Sequence, residues 1–206
     1  MRTVLLLSGG MDSTTLLYQL LEQGHEVLAV SFDYHSKHNA KEIEMAKWHT
    51  DKLGINHAII DLGFINDLFT SDLLQSGGDI PEGHYEDEVM KRTVVPFRNG
   101  ILLSIATGYA ESEDADCVAI ASHAGDHAIY PDCRPEFNNA INEAMIRGTY
   151  KQVRLYTPFA DISKKDIAKI GLSLGVDYDK TWSCYKGEDE PCGKCGTCVE
   201  RRLALE

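Results

Sequence analysis

A chain of 206 residues with 43% hydrophobic and 25% charged residues has the size and balance of one globular domain with a small appendage, which excludes a disordered or fibrous protein. The formal net charge of −12 argues against a long electrostatic footprint on nucleic acid and for a free small molecule as substrate. The opening residues MRTVLLLSGG hold an apolar run too short for a signal peptide or a membrane span, so a cytoplasmic protein is expected, its six cysteines serving as thiols or metal ligands rather than disulfides.

Residues 3–8, TVLLLS, are continuously apolar and predict a strand covered on both faces. Residues 13–23, STTLLYQLLEQ, carry leucines at helical spacing and stop before Gly24, a favourable helix terminator. EVLAVSFDY (26–34) predicts a second strand, NAKEIEMAKWHTDKL (39–53) an amphipathic helix ended by Gly54, and INHAIIDL (55–62) a third strand. Residues 75–93 lack periodicity and mix glycine, proline and acid, the composition of a long loop or lid. NGILLSIATGYAES (99–112), EFNNAINEAMIRG (136–148) and SKKDIAKIGLSLG (163–175) predict helices, the last with Ser163 as N-cap, and CVAIAS (117–122) another strand. This alternation implies an α/β fold with a parallel sheet, whose ligands bind at the carboxyl ends of the strands. Ser8 to Ser13, Asp33 and the segment after residue 122 all emerge there. From Cys184 onward the chain changes to cysteine, glycine and charge.

At SGGMDS (8–13) the first strand runs into two glycines, then hydroxyls and an aspartate. Glycines at that point let the backbone approach a ligand with no Cβ in the way, and the following helix aims free N–H groups and the positive end of its dipole at an anion. Ser8, Ser13, Thr14 and Thr15 add hydroxyls to the same rim. The pattern is that of a phosphate site, yet the Gly-Lys-Ser/Thr that closes a P-loop is missing.

Cys184, Cys192, Cys195 and Cys198 follow the spacing C-x7-C-x2-C-x2-C. The tandem x2 spacings bring three sulfurs around one centre, and the first cysteine returns across a glycine-containing loop. Tetrahedral Zn²⁺ accepts four thiolates in a closed, structural site; an iron–sulfur cluster takes the same number. Cys117, in an apolar strand, is expected in the core. Cys133, in YPDCR, is expected to be a quiet thiol, with a reactive one as the alternative.

SGGMDS resembles the SGGxDS signature of the PP-loop ATP pyrophosphatases, which include GMP and NAD synthetases, tRNA-thiolating enzymes and the 7-cyano-7-deazaguanine synthases of queuosine biosynthesis. The chain is similar to the last family over nearly its full length, through SGGMDSTT (8–15), FDYHSKH (32–38), VPFRNG (95–100), YPDCRPEF (130–137), TPF (157–159) and TWSCYKGEDEPCGKCGTC (181–198). Many members read Tyr-Gly-Gln-Arg-His where this chain has Tyr34-His35-Ser36-Lys37-His38, which puts Lys37 in place of arginine, and Pro-Gly-Arg-Asn where it has Pro96-Phe97-Arg98-Asn99. In PP-loop enzymes the loop holds the β,γ-pyrophosphate of ATP as a leaving unit while a substrate oxygen attacks the α-phosphorus, so AMP is transferred and no loop lysine is required.

The resemblance implies a Rossmann-like, adenine-nucleotide-binding PP-loop domain over residues 1–180 and a small zinc-binding tail with four cysteine ligands over 181–206. It implies conversion of 7-carboxy-7-deazaguanine and ammonia to the nitrile, by adenylation first of the carboxylate and then of the amide. ATP, Mg²⁺ and Zn²⁺ are the implied cofactors, and a homodimer without direct nucleic-acid or membrane contact the implied assembly. The nucleotide stretch it implies comprises Leu7, Ser8, Gly9, Gly10, Met11, Asp12, Ser13, Thr14, Thr15, Leu16 and Leu17. Ser8, Asp12, Ser13 and Lys164 are the expected catalytic groups, Asp12 helping to hold the metal and Lys164, at the start of a late helix, assisting the loop.

On the substrate side, Arg98 at a strand-to-helix junction, beside Asn99, offers a planar fork for a phosphate or carboxylate. Asp132 suits the N1–H and 2-amino donors of a guanine-like face, and Arg134 is either a second clamp or an internal partner of Asp132. His123, Asp126 and His127 form a base for ammonium, a second metal site or, as expected, a hydrogen-bonded loop. Tyr34, Phe137 and Trp182 are candidates to stack on a purine or to fill the core. Two other readings stand beside the synthase: a tRNA sulfur transferase with an iron–sulfur or persulfide cysteine, which the negative charge disfavours, and a non-catalytic zinc-bearing nucleotide sensor.

Overall fold

Strand β1 (Arg2–Leu6) lies at the centre of a five-stranded parallel sheet of order β3-β2-β1-β4-β5, with β2 (Glu26–Asp33), β3 (Asn56–Asp61), β4 (Cys117–Ala119) and β5 (Arg154–Tyr156). The structure, a computed structural model, describes residues 1–85 and 88–206. Of the loop predicted over 75–93, residues 86 and 87 lie outside the described residues.

Successive side chains of β1 enter two different cores. Val4 and Leu6 pack with Leu103 and Ala106 of α4 (Arg98–Ser112) and Met145 of α5 (Pro135–Gly148), whereas Leu5 and Leu7 pack with Leu16, Leu17 and Leu20 of α1 (Met11–Glu22) and Ile167 of α6 (Lys164–Ser173). A strand buried on both faces has no solvent side to mark with polar residues, which accounts for the unbroken TVLLLS. The chain moves outward from β1 through β2 and β3, then returns to build β4 and β5 on the other side. A crevice therefore opens between the carboxyl ends of β1 and β4.

The expected helices are present, α2 with the predicted bounds Asn39–Leu53 and a left-handed Gly54 at φ 66° after it. The Ser163 hydroxyl caps α6 by accepting from the Asp166 N–H at 3.2 Å. Three elements are additional: α3 (Phe64–Leu68), β5 and α7 (Gly196–Leu205). The 75–93 stretch has structure of its own, with a 3-10 turn at Glu88–Thr93, a buried Ile80, and the Gly83 N–H donating to the Lys194 carbonyl at 3.2 Å. Trp182, Cys184, Cys195 and Cys198 share one buried cluster with Val4 and Leu103, so the division expected at residue 180 does not separate two cores.

The turn between β1 and α1 is pressed onto the backbone of α2. Gly9 has φ 90°, and a Cβ there would lie 2.0 Å from the Glu42 carbonyl oxygen and 2.8 Å from the Ala46 nitrogen. Both the dihedral and the space demand glycine. Gly9→Ala is expected to cost roughly 2–3 kcal/mol of stability, read as a lower denaturation midpoint at unchanged slope in a urea titration.

Candidate functional site

The loop leaving β1 forms one lip of the principal cleft. The remaining walls come from the exits of β2 (Tyr34, His38, Asn39) and β4 (residues 120–122), Glu42 of α2, the start of α4 (Arg98, Asn99), Lys164, and Trp182, Ser183 and Tyr185 of the Cys-rich segment. Ser8 Oγ accepts from the Gly10 N–H at 3.1 Å and lies 3.0 Å from Ser13 Oγ, which accepts from the Ser8 N–H at 3.2 Å. Gly10 is the N-cap of α1 and supplies no side-chain acceptor, which leaves the first-turn N–H groups available to an anion. The Trp182 N–H donates to the Gly9 carbonyl at 3.0 Å and fastens the Cys-rich segment to the loop.

A buried charge cluster backs this lip. Lys164 Nζ lies 2.9 Å from Asp12 Oδ2 and 2.9 Å from Glu200 Oε2. Burial works against the Lys164 cation, but Asp12, Glu200 and Asp126 outweigh it and hold the amine above the ordinary lysine range. His123 Nε2 faces Asp126, Glu200 and Asp12 at 3.6, 3.8 and 3.9 Å. Its Nδ1 accepts from the Gly125 N–H while Asp126 accepts from the His123 N–H, so residues 123–127 form the hydrogen-bonded loop expected of them. Asp12 Oδ1 is buried without a hydrogen-bond partner. An orphaned carboxylate oxygen beside an open helix N-terminus fits a hard divalent cation.

On the opposite wall Phe97, at φ 53°, turns the chain into α4 and presents Arg98. The Arg98 guanidinium lies 5.7 Å from the centre of the Tyr34 ring and donates to its hydroxyl at 3.2 Å. Tyr85 donates to Asp126 Oδ1 at 3.0 Å, and the Tyr130 hydroxyl lies 3.2 Å from those of Tyr185 and Thr93. Between the two walls, Glu42 Oε2 lies 3.4 Å from His38 Nε2, the glutamate side chain being 15% exposed and the histidine 3%. Burial raises the Glu42 carboxyl to about 8, with Arg98 and Lys164 pulling it back. Burial lowers His38 to about 3, so this imidazole is uncharged near neutrality.

The four cysteines of the C-terminal segment form a second centre. All are free thiols, and their sulfurs lie within 4.8 Å of one another. Four ligands around zinc at its usual bond length stand about 3.8 Å apart, so the cluster needs only a small contraction to close on a metal. Backbone N–H groups of Cys192 and Cys195 point at the sulfurs of Cys184 and Cys192, at 3.4 and 3.3 Å, the outer-shell support expected around thiolate ligands. Helix α7 starts from two of these cysteines and carries Glu200 into the charge cluster.

Of the stretch 7–17, Leu7, Ser8, Gly10, Met11, Asp12 and Ser13 line the cleft, and Gly9 lies behind it. Thr14, Thr15, Leu16 and Leu17 do not reach the cleft. Thr15 Oγ1 donates to the Met11 carbonyl and meets the Tyr178 hydroxyl at 2.8 Å, while Leu16 and Leu17 fill the sheet core. At about 3.6 residues per turn a helix pointing end-on at a ligand offers it only its first turn.

Arg134 corrects a second expectation: it is exposed and donates to the His127 carbonyl at 2.9 Å, away from the cleft. Asp132 is buried outside the cleft lining, its Oδ2 accepting from the Asn99 N–H at 2.8 Å at the start of α4. Phe137 packs edge-on against Phe97 rather than in the cleft. Lys37 sends its ammonium to the carbonyls of Asp72, Leu74, Gly77 and Gly78 and pins that loop. Burial pushes the Cys133 thiol up, and Cys117 is buried beside Thr3 Oγ1 at 3.2 Å. Glu42, Glu200 and the tyrosines 85, 130 and 185 are site residues that the sequence did not single out. The only local sign of Glu200 is its place two residues after Cys198.

The doubly wound parallel sheet, the Gly-Gly turn at its switch point and the hydroxyl-rimmed, lysine-free phosphate loop define a nucleotide-binding protein of the PP-loop class. Among solved structures, NMN synthetase from Francisella tularensis shares the fold with a TM-score of 0.53 at 14% identity, covering 93% of this chain and 70% of that one. The NH3-dependent NAD synthetase of Campylobacter jejuni does so with a TM-score of 0.51 at 18% identity, over 87% of this chain and 66% of that one. The sequence model of the family described as queuosine biosynthesis protein QueC matches residues 2–206, and the chain belongs to that family. Relatives called 7-cyano-7-deazaguanine synthase include one from Porphyromonas gingivalis W83, 57% identical over 203 residues (98% of this chain, 91% of the relative). Another, from Methanoregula boonei, is 54% identical over 205 residues (100% of this chain, 94% of the relative).

Lys164→Ala leaves the buried carboxylates of Asp12 and Glu200 facing each other, and an expected loss of about 3 kcal/mol is checked by denaturant unfolding. The Glu42 carboxyl titrates higher in the fold than its unfolded value of 4.5. Its stabilising contribution is therefore complete below that pH and is lost as pH rises toward about 8. Melting temperature should fall between pH 5 and 8 less steeply in Glu42→Gln than in the wild type.

Proposed function

We propose that this chain is an ATP-dependent ligase that converts 7-carboxy-7-deazaguanine and ammonia to 7-cyano-7-deazaguanine, releasing AMP and pyrophosphate. The observation that carries the reading is the β1 loop, a hydroxyl-rimmed Gly-Gly turn at the open N-terminus of α1. It belongs to a chain whose relatives, more than half identical over nearly its whole length, carry the synthase name.

In this reading Gly10 and the first turn of α1, with Ser8 and Ser13, hold the outer two phosphoryl groups of ATP, and their N–H groups stabilise the charge that departs with pyrophosphate. Asp12, with its free Oδ1, would hold Mg²⁺, which would supply further neutralisation of that charge. Lys164 keeps Asp12 oriented and offsets the negative potential of the neighbouring acids. Arg98 meets the substrate carboxylate through its planar fork, Asn99 lines the same wall, and Tyr34 and Trp182 flank the deazapurine. A carboxylate oxygen attacks the α-phosphorus, and AMP leaves as ammonia adds to the carboxyl carbon. The amide oxygen then attacks a second ATP, and AMP leaves again as the nitrile forms. AMP is a far better leaving group than hydroxide or oxide, so one loop serves both activations. Cys184, Cys192, Cys195 and Cys198 would hold Zn²⁺ in a closed, structural site. The enzyme works in the cytoplasm as a homodimer on a free small molecule.

A sulfur-transferring reading is less well supported, because the four clustered cysteines leave only buried Cys117 and Cys133 elsewhere and the net charge is −12.

Incubation with ATP, Mg²⁺, ammonium and 7-carboxy-7-deazaguanine should yield AMP and the nitrile by mass spectrometry; ADP, or no nitrile, rejects the proposal. Ser8→Ala and Asp12→Ala should lower AMP formation by about 100-fold or more while retaining the zinc of the cysteine site. The protein purified without oxygen should be colourless with about one zinc per chain, whereas a brown protein indicates an iron–sulfur cluster.

A further inference from the structure

The acidic side chains in and around the cleft differ in how they are engaged. Asp12 and Glu200 pair with Lys164, Asp126 accepts from the Tyr85 hydroxyl and the His123 N–H, and Asp132 caps α4. Glu42 has none of this. Among the described residues no lysine or arginine lies within ion-pair distance of its carboxyl, and its near polar neighbour is the uncharged His38, at 3.4 Å.

Its place is equally specific. Glu42 lines the cleft, with Oε1 3.8 Å from the point that a Cβ on Gly10 would occupy. A carboxylate beside a loop shaped for phosphate repels the ligand and is itself poorly solvated. The contact between α2 and Gly9 uses the Glu42 main-chain carbonyl, which any residue supplies, so packing gives no reason for an acid here. An acid retained in such surroundings is a candidate for proton transfer.

The reaction proposed above, on which this inference rests, needs one. Nitrogen enters as ammonia and ends in a nitrile that carries no hydrogen. As the ammonia lone pair forms the C–N bond, the C–O pair departs with AMP and one proton leaves nitrogen. As the amide oxygen attacks the α-phosphorus, pyrophosphate departs, and another N–H pair becomes the second C–N bond. As the nitrile forms, the last N–H pair moves into the C–N bond and the C–O pair departs with AMP. Every proton leaves the same nitrogen, one carbon and one oxygen away from the α-phosphorus, and so beside the loop.

We propose that Glu42 is the catalytic base that takes these protons, its carboxylate accepting each from the reacting nitrogen and passing it to solvent before the next. A carboxyl raised to about 8 is matched to that exchange near neutral pH. The groups facing it are His38 at the start of α2, Tyr34 at the exit of β2, Arg98 on α4 and Lys164 on α6. His38, neutral, orients Oε2 without competing for the proton, and the two cations keep the carboxylate accessible.

The test separates activation from amination in the full chain. Pyrophosphate exchange into ATP, dependent on 7-carboxy-7-deazaguanine and measured without ammonia, reports the first adenylation. Nitrile formation at constant free ammonia across pH 6 to 9 reports the proton transfers. Glu42→Gln should slow nitrile formation by about 100-fold or more beyond any effect on exchange, and should abolish the acid limb of its pH profile. Glu42→Asp, which retains a carboxylate, should keep that limb and recover part of the rate, and formate should partly rescue Glu42→Ala. Nitrile formation by Glu42→Gln within about 3-fold of the wild type, or equal loss of exchange and nitrile, overturns the assignment while leaving the synthase reading intact. A wild type that exchanges pyrophosphate but forms no nitrile sinks both.

Discussion

The ammonium of Lys164 lies 2.9 Å from carboxylates that belong to opposite ends of the chain, Asp12 in the first helix and Glu200 in the last. A buried ion group of this kind adds little net stability, because desolvation offsets most of the attraction. Its effect is to set position. Asp12 is fixed at the start of α1, Lys164 is held at the rim of the cleft, and α7 is fixed against α1 and α6. In an acidic protein a phosphate site cannot rely on the overall field, so local cations and oriented N–H groups have to supply the attraction.

The Cys-rich segment extends the same constraint. Trp182 donates to the Gly9 carbonyl through its main chain and to the Cys184 carbonyl through its indole, which ties the phosphate loop to the first thiol by two hydrogen bonds. Arg201 reaches Thr181, Ser183 and the Tyr178 carbonyl and closes the segment on itself. A structural metal here would stiffen one wall of the cleft directly, since α7 takes its first turn from the cysteines and Glu200 follows within that helix.

Much of the scaffold is legible in the residues. TVLLLS, the leucine spacing of α1 and the run from Asn39 to the left-handed Gly54 each follow from local rules of burial, periodicity and termination. SGGMDS and the four cysteines stand out as candidate sites because their chemistry is compressed into short strings, and the structure brings the first to the cleft and the four sulfurs within 4.8 Å of one another. Strand β5, three residues long, and α3, five residues long, are too short to show a period. Glu42 and Glu200 are hidden for another reason: in sequence each is one acid among 32 acidic residues, and only tertiary packing brings one beside Gly10 and the other onto Lys164. Arg134 and Asp132 mislead because adjacency suggests a shared task, whereas the turn into α5 sends the arginine to solvent and the aspartate back to the amide of Asn99.

The contact of Gly9 with the α2 backbone also limits how the cleft can work. With no side chain between them, the phosphate loop and the helix bearing Glu42 are geared together and cannot shift independently. The facing wall is fastened to the same loop, through the Trp182 N–H on the Gly9 carbonyl and the Tyr85 hydroxyl on Asp126, so the cleft is braced from both sides and a ligand meets a shape set in advance.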